Sequence, residues 1–151
     1  MTLLVALHIL AAVIWVGGMF FAFVVLRPSA GPMEPPARLA LWQRVFGRFF
    51  PWVWASIAAL LVSGYAMLFL HFGGFAGAPP HVNVMQVTGI LMMLLFLHLY
   101  FVPWRRFSRA VQAGAFADAA ASLDQIRRIV AINLVLGLIT VAVGASGRFW
   151  A

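Results

Sequence analysis

The sequence predicts an all-α integral membrane protein, a four-helix bundle with short amphipathic interfacial helices in its cytoplasmic connections. Three observations carry this expectation. The 151 residues are 65% hydrophobic and only 9% charged, far from the roughly 25% charged of soluble domains, which excludes a water-soluble enzyme. Four apolar blocks, 2–26, 49–72, 84–104 and 129–150, are each close to the roughly 20 residues that cross a bilayer as a helix. The arginines lie almost entirely in two of the three connections between those blocks.

The first block lacks a basic leader and is too long for a signal-peptide core, so it reads as a span. Connection 27–48 opens with Pro28-Ser29-Ala30-Gly31-Pro32 and Pro35-Pro36, a breaker-rich run. After it, Leu39, Trp42, Val45, Phe46 and Phe49 recur at helical spacing while Arg38, Gln43, Arg44 and Arg48 fill other faces, the pattern of an interfacial helix leading into the second span. Connection 73–83 carries no formal charge and contains Gly73-Gly74, Gly77 and Pro79-Pro80, a short turn. Connection 105–128 is alanine-rich and helical, with a break at Gly114. Together the blocks make one transmembrane domain over 1–151.

Orientation follows from arginine. Arg27, Arg38, Arg44 and Arg48 occupy the first connection, Arg105, Arg106, Arg109, Arg127 and Arg128 the third, and none the second. The two long connections are therefore expected in the cytoplasm and both termini outside. Trp52, Trp54, Trp104 and Trp150 fall near span ends as an aromatic belt, and Arg148 snorkels to the outer interface.

The formal net charge of +7 comes from arginine alone among the basic residues. Set beside apolar spans, it points to anionic lipid and not to nucleic acid. With no cysteine, disulfides, thiolate metal sites and iron–sulfur clusters are excluded. Glu34, Asp118 and Asp124 all fall in connections, which argues against proton relay through buried acids. No hydrolase, nucleotide or kinase motif is present.

Ionisable groups inside a bilayer mark function, so the histidines carry the search. His8, His71 and His81 belong to the outward layer, while His98 sits about six residues from the other end of the third span. Met67 precedes His71 by four residues and Met85 follows His81 by four, so each pair shares a helix face. Imidazole with thioether is a copper-type ligand set, to which His8 adds a third nitrogen. In the inner layer, His98 and Asn133 lie at similar depth and suit an interhelical hydrogen bond. The functional alternative is haem bound by His8 or His98, with Asn133 as an orienting amide, Gly17-Gly18 making room for the macrocycle, and Met19, Met92 or Met93 as other axial candidates. Ser56, Ser63, Thr88, Thr140 and Ser146 are assigned to packing, with Ser63-Gly64, Gly89, Gly137 and Gly144 extending small-residue seams.

Taken together, His8-Ile9-Leu10, Trp15-Val16-Gly17-Gly18-Met19-Phe20, the Arg27-Pro28 exit, Ser63-Gly64, Arg127-Arg128 and Asn133 resemble the membrane domain of the copper-resistance D (CopD) family. The most specific part is the histidine with the Trp-x-Gly-Gly stretch. The resemblance implies a bacterial inner-membrane protein associated with copper uptake or resistance. Larger members carry extra spans, so four spans resemble an isolated domain, one that forms a complete path only by homo-oligomerising. The chain is also similar to the HemJ type of protoporphyrinogen oxidase in His8 with Trp15 and Gly18, His98 with Tyr100, and Asn133. It departs from that type where Glu-x-Pro is replaced by Leu134-Val135-Leu136. The expected function is thus binding or passing copper at an outward site of His71, His81, Met67, Met85 and His8. The alternatives are a b-type haem oxidoreductase, or a cofactor-free accessory subunit of a larger membrane complex.

Overall fold

A computed structural model describes residues 1–150, with only the backbone of Arg148, so the expected snorkelling of that side chain lies outside the described residues. Helix α1 (Thr2–Phe20) runs on through a π-helical stretch, Phe21–Leu26, and a last turn, Arg27–Ser29. It is followed by α2 (Pro35–His71), α3 (Pro80–Phe101), α4 (Pro103–Gln112) and α5 (Phe116–Ser146). Four helical stretches, Thr2–Ser29, Pro35–His71, Pro80–Gln112 and Phe116–Ser146, are long and apolar enough to cross a membrane. The expected all-α class is therefore present, with four helical stretches able to serve as the expected spans.

Helix α2 differs from expectation in an instructive way. Its amphipathic first third is not a separate helix but is continuous with the span, with Pro51 inside the helix. At 37 residues, α2 is about 55 Å long, well beyond the roughly 30 Å hydrocarbon core. Its surplus length stands beside α4 and the first turns of α5 and forms a collar at the arginine-rich end. The buried residues there are aromatic and aliphatic. Trp42, Phe46 and Phe50 come from α2, Phe107 from α4, and Ala119, Leu123 and Ile126 from α5. Phe46 stacks on Phe50 at 5.1 Å between ring centroids, and Trp104 meets Phe50 edge-on at the same distance. Offset and edge-to-face geometries of this kind are those that aromatic quadrupoles favour. Gln43 Nε2 donates to Ser108 O at 3.3 Å and so ties α2 to α4.

Connections behave as their composition dictates. Gly73 and Gly74 take φ of +71° and +98°, values that only glycine adopts at low cost, and these reverse the chain between α2 and α3. Gly114, at φ +69°, does the same between α4 and α5. Arg38 Nη1 donates to Gly31 O at 3.1 Å and closes the first connection. Arg27 and Arg105 lie over Phe23 and Phe101, 5.0 and 4.9 Å from the ring centroids, so two of the boundary arginines rest on aromatic faces.

The expected tryptophan belt is only partly realised. Trp52 is exposed, but Trp54 and Trp104 are half-buried and turn inward, Trp54 against Phe96 and Tyr100 and Trp104 against Phe46, Phe50 and Phe107.

Helix pairing sets the site. Helix α1 packs along α2, and α3 along α5, and the two hairpins meet mainly where α5 reaches α1 and α2. They are held together by the aromatic residues at the arginine-rich end. At the opposite end, where α1 begins and α5 finishes, they separate.

Candidate functional site

The separation of the hairpins leaves a cavity of about 490 Å³ lined from all four spans. Its wall is largely apolar, and polar or soft donors interrupt it at a few places. Helix α1 contributes His8, α2 contributes Tyr65 and Met67, α3 contributes His81, Met85, Gln86, Met92 and Met93, and α5 contributes Thr140. Among the described residues, no aspartate, glutamate or arginine lines it. Four of the chain's seven methionines converge here, which makes thioether the commonest donor type at the site.

The register of α3 on α5 explains how those donors fit. His81, Met85 and Met92 advance along α3 by four and then seven residues, and Gly147, Gly144 and Gly137 retreat along the facing chain in near-matching steps. A Cβ at Gly144 would stand 3.0 Å from Met85 Cε and 3.2 Å from its sulfur, and one at Gly137 would stand 3.1 Å from Met92 Cε. At Gly147 a Cβ would overlap the His81 ring. Gly144 and Gly147 therefore each make room for one donor, whereas a Cβ at Gly137 would meet Val16 Cγ2, at 2.9 Å, before Met92, so that glycine also serves the close helix packing expected of a small-residue seam. Thr140 Oγ1 lies 2.7 Å from Thr88 Oγ1, a polar clasp in the same register. The edge of Trp150 approaches His81, with ring centroids 6.2 Å apart, at the mouth.

On the other wall, His8 Nδ1 is 2.9 Å from Ser63 Oγ. Gly64 receives the ring, since a Cβ there would stand 3.1 Å from His8 Cε1.

Not every expected ligand reaches this cavity. His8, His81, Met67 and Met85 line it, but His71 does not. At the last residue of α2, just before the glycine turn, His71 is exposed and its ring packs edge-on against Phe72, centroids 4.9 Å apart. The i,i+4 spacing with Met67 holds, yet the cavity ends before the helix does.

Of the residues expected for haem, His8 lines the cavity with Met92 and Met93, whereas His98, Asn133, Gly17 and Gly18 do not line it. His98 is exposed on the surface of α3. Asn133 is buried and donates from Nδ2 to Met92 O at 3.1 Å, in place of the expected bond to His98, and its Oδ1 has no partner among the described residues. Gly17 is exposed with nothing within 4 Å of a Cβ, and a Cβ at Gly18 would run into the Phe49 ring, so the space at Gly18 is filled by packing. Asn133→Leu should therefore change unfolding stability by less than about 1 kcal/mol in detergent. The roughly 0.6 kcal/mol of an intramembrane hydrogen bond is offset by removing an orphaned carbonyl. A loss above about 2 kcal/mol on chemical unfolding would show that the amide does more than bridge two helices.

The spacing of Met92, seven residues after Met85, was the one available signal that it shares the His81–Met85 face. Ser63 gave none. Among the described residues, no three of histidine, cysteine, aspartate and glutamate group as a metal site. The soft and imidazole donors that line the cavity are the thioethers of Met67, Met85, Met92 and Met93 with His8 and His81.

Comparison with known proteins adds two matches. The family model described as "Copper resistance protein D" matches residues 43–146, which runs from within α2 to the end of α5 and leaves out His8 and the Trp-Val-Gly-Gly stretch that most specifically suggested this likeness. An uncharacterised protein of Aquifex aeolicus (strain VF5) is 28% identical over 148 residues, 94% of this chain and 91% of that protein. No solved structure matches.

Proposed function

Because the chain belongs to the copper resistance protein D family, we propose that it takes copper, as Cu(I), into the cavity between its two hairpins. His8 and His81 supply imidazole nitrogen, and Met67, Met85 and Met92 supply thioether sulfur. The observation that carries this reading is the lining itself, two imidazoles and several thioethers in an apolar cavity that has no carboxylate among the described residues. Soft neutral sulfur selects Cu(I) over the harder divalent ions, and a monovalent ion costs less to desolvate in such surroundings than a divalent one. The arginine distribution favours a cytoplasmic collar and an outward-facing cavity in a bacterial inner membrane. The aromatic collar closes the other end, so copper enters and leaves by the same mouth in this conformation.

The test is a competition titration of the purified, detergent-solubilised protein with Cu(I) against a chromophoric chelator. The wild type is expected to bind, and His8→Ala/His81→Ala to lose at least about 100-fold in affinity, beyond the ~10–100-fold typical of a lost outer-shell partner. His71→Ala, outside the cavity, should bind as the wild type does. Equal affinity in the double variant overturns the assignment. A Soret band whose α and β partners sharpen on reduction would replace copper with haem.

A further inference from the structure

Ser63 is completely buried and has a single hydroxyl proton to give. Its Oγ lies 2.5 Å from Ala59 O and 3.5 Å from Leu60 O, both on its own helix. A carbonyl oxygen only accepts, and two oxygens at 2.5 Å repel unless a proton lies between them. The Ser63 proton is therefore committed to Ala59 O. What Oγ offers His8 is a lone pair, and the 2.9 Å contact with Nδ1 must be a donation from the ring.

We propose that Ser63 is a positioning residue that fixes His8 as its Nδ1–H tautomer, so that Nε2 holds the lone pair available to a ligand in the cavity. Neutral imidazole carries one proton, and whichever nitrogen keeps it is lost as a metal donor. Gly64 completes the arrangement by admitting the ring edge at Cε1. Serine and glycine at these adjacent positions thus act together, one setting the proton and the other the space. This is the outer-partner arrangement that orients histidine ligands, made here by a hydroxyl instead of a carboxylate. In a low-dielectric span a hydroxyl has the advantage of carrying no charge.

The proposal rests on the copper reading only for the identity of the ligand, and the two are separable by experiment. In metal-free protein labelled with ¹⁵N-histidine, at a pH where histidine is neutral, the His8 resonances are identified by their absence from His8→Ala. Wild-type Nδ1 is expected at a pyrrole-like shift and Nε2 at a pyridine-like one. Ser63→Ala should move His8 toward the Nε2–H form, and Ser63→Thr should restore the original pattern. With Cu(I) as probe, Ser63→Ala should weaken binding about 10-fold and Ser63→Thr should recover it. A wild-type His8 protonated at Nε2 overturns the proposal, whatever the fate of the variants, and so does a tautomer unchanged in Ser63→Ala. If the tautomer follows Ser63 but no protein binds Cu(I), the positioning role stands and the copper reading falls.

Discussion

Replacing Met67, Met85 and Met92 together by leucine is expected to lower Cu(I) affinity by at least about 100-fold while leaving the bundle folded. Leucine and methionine are close in volume, and such exchanges usually cost under about 1.5 kcal/mol each. The substitution therefore removes sulfur without emptying the cavity. It also separates soft-metal binding from imidazole chemistry. His8 and His81 remain, so any weak Zn(II) binding they support should be unchanged, and the Cu(I)-over-Zn(II) preference should collapse. Parallel titrations with the two ions on the same preparations check this. If Cu(I) binds the triple variant as tightly as the wild type, the thioethers lining the cavity are packing groups and the donor set must be sought elsewhere.

How far the sequence reveals this arrangement depends on which physical constraint each feature answers to. The spans are legible because a bilayer demands an unbroken apolar run, and the turn after α2 is legible because glycine and proline punctuate the chain there. Burial within a span is not. Leu68 and Leu70 have identical hydropathy, yet Leu68 is 2% exposed and Leu70 76%, because lipid is as apolar as the bundle interior. Helical spacing assigns residues to faces but leaves open which faces meet. It places His81, Met85 and Met92 on one face and Met67 with His71, but it does not tell how deep the cavity runs along the first face or that it stops short of His71 on the second. The collar was half legible: the amphipathic run after Pro36 is helical, but its continuity with the span follows from α4 and α5 supplying the partner surface, which no local pattern reports.

That partner surface should also hold most of the stability that a single substitution can remove. Phe107→Ala is expected to destabilise the protein by about 3–5 kcal/mol, the usual loss for a buried phenylalanine. Phe107 is 0% exposed and contacts Trp104 and Phe46 at centroid distances of 5.9 and 6.5 Å. Location sharpens the expectation. Helix α4 follows a 22-residue α3 that already spans about 33 Å, so its apolar face is expected to be shielded from water by protein and not by lipid. There the hydrophobic effect operates at full strength, about 25 cal/mol per Å², whereas between helices in hydrocarbon it is absent. Leu70→Ala, at an outward-facing position of α2, should by contrast cost under about 0.5 kcal/mol. Unfolding of the detergent-solubilised variants, followed by far-ultraviolet circular dichroism, compares the two directly. Equal losses would mean that α4 lies within the apolar phase and that the collar is part of the membrane-embedded bundle. A large loss at Phe107 alone would locate the fastening of the two hairpins in the collar, leaving their other ends free to part around the cavity.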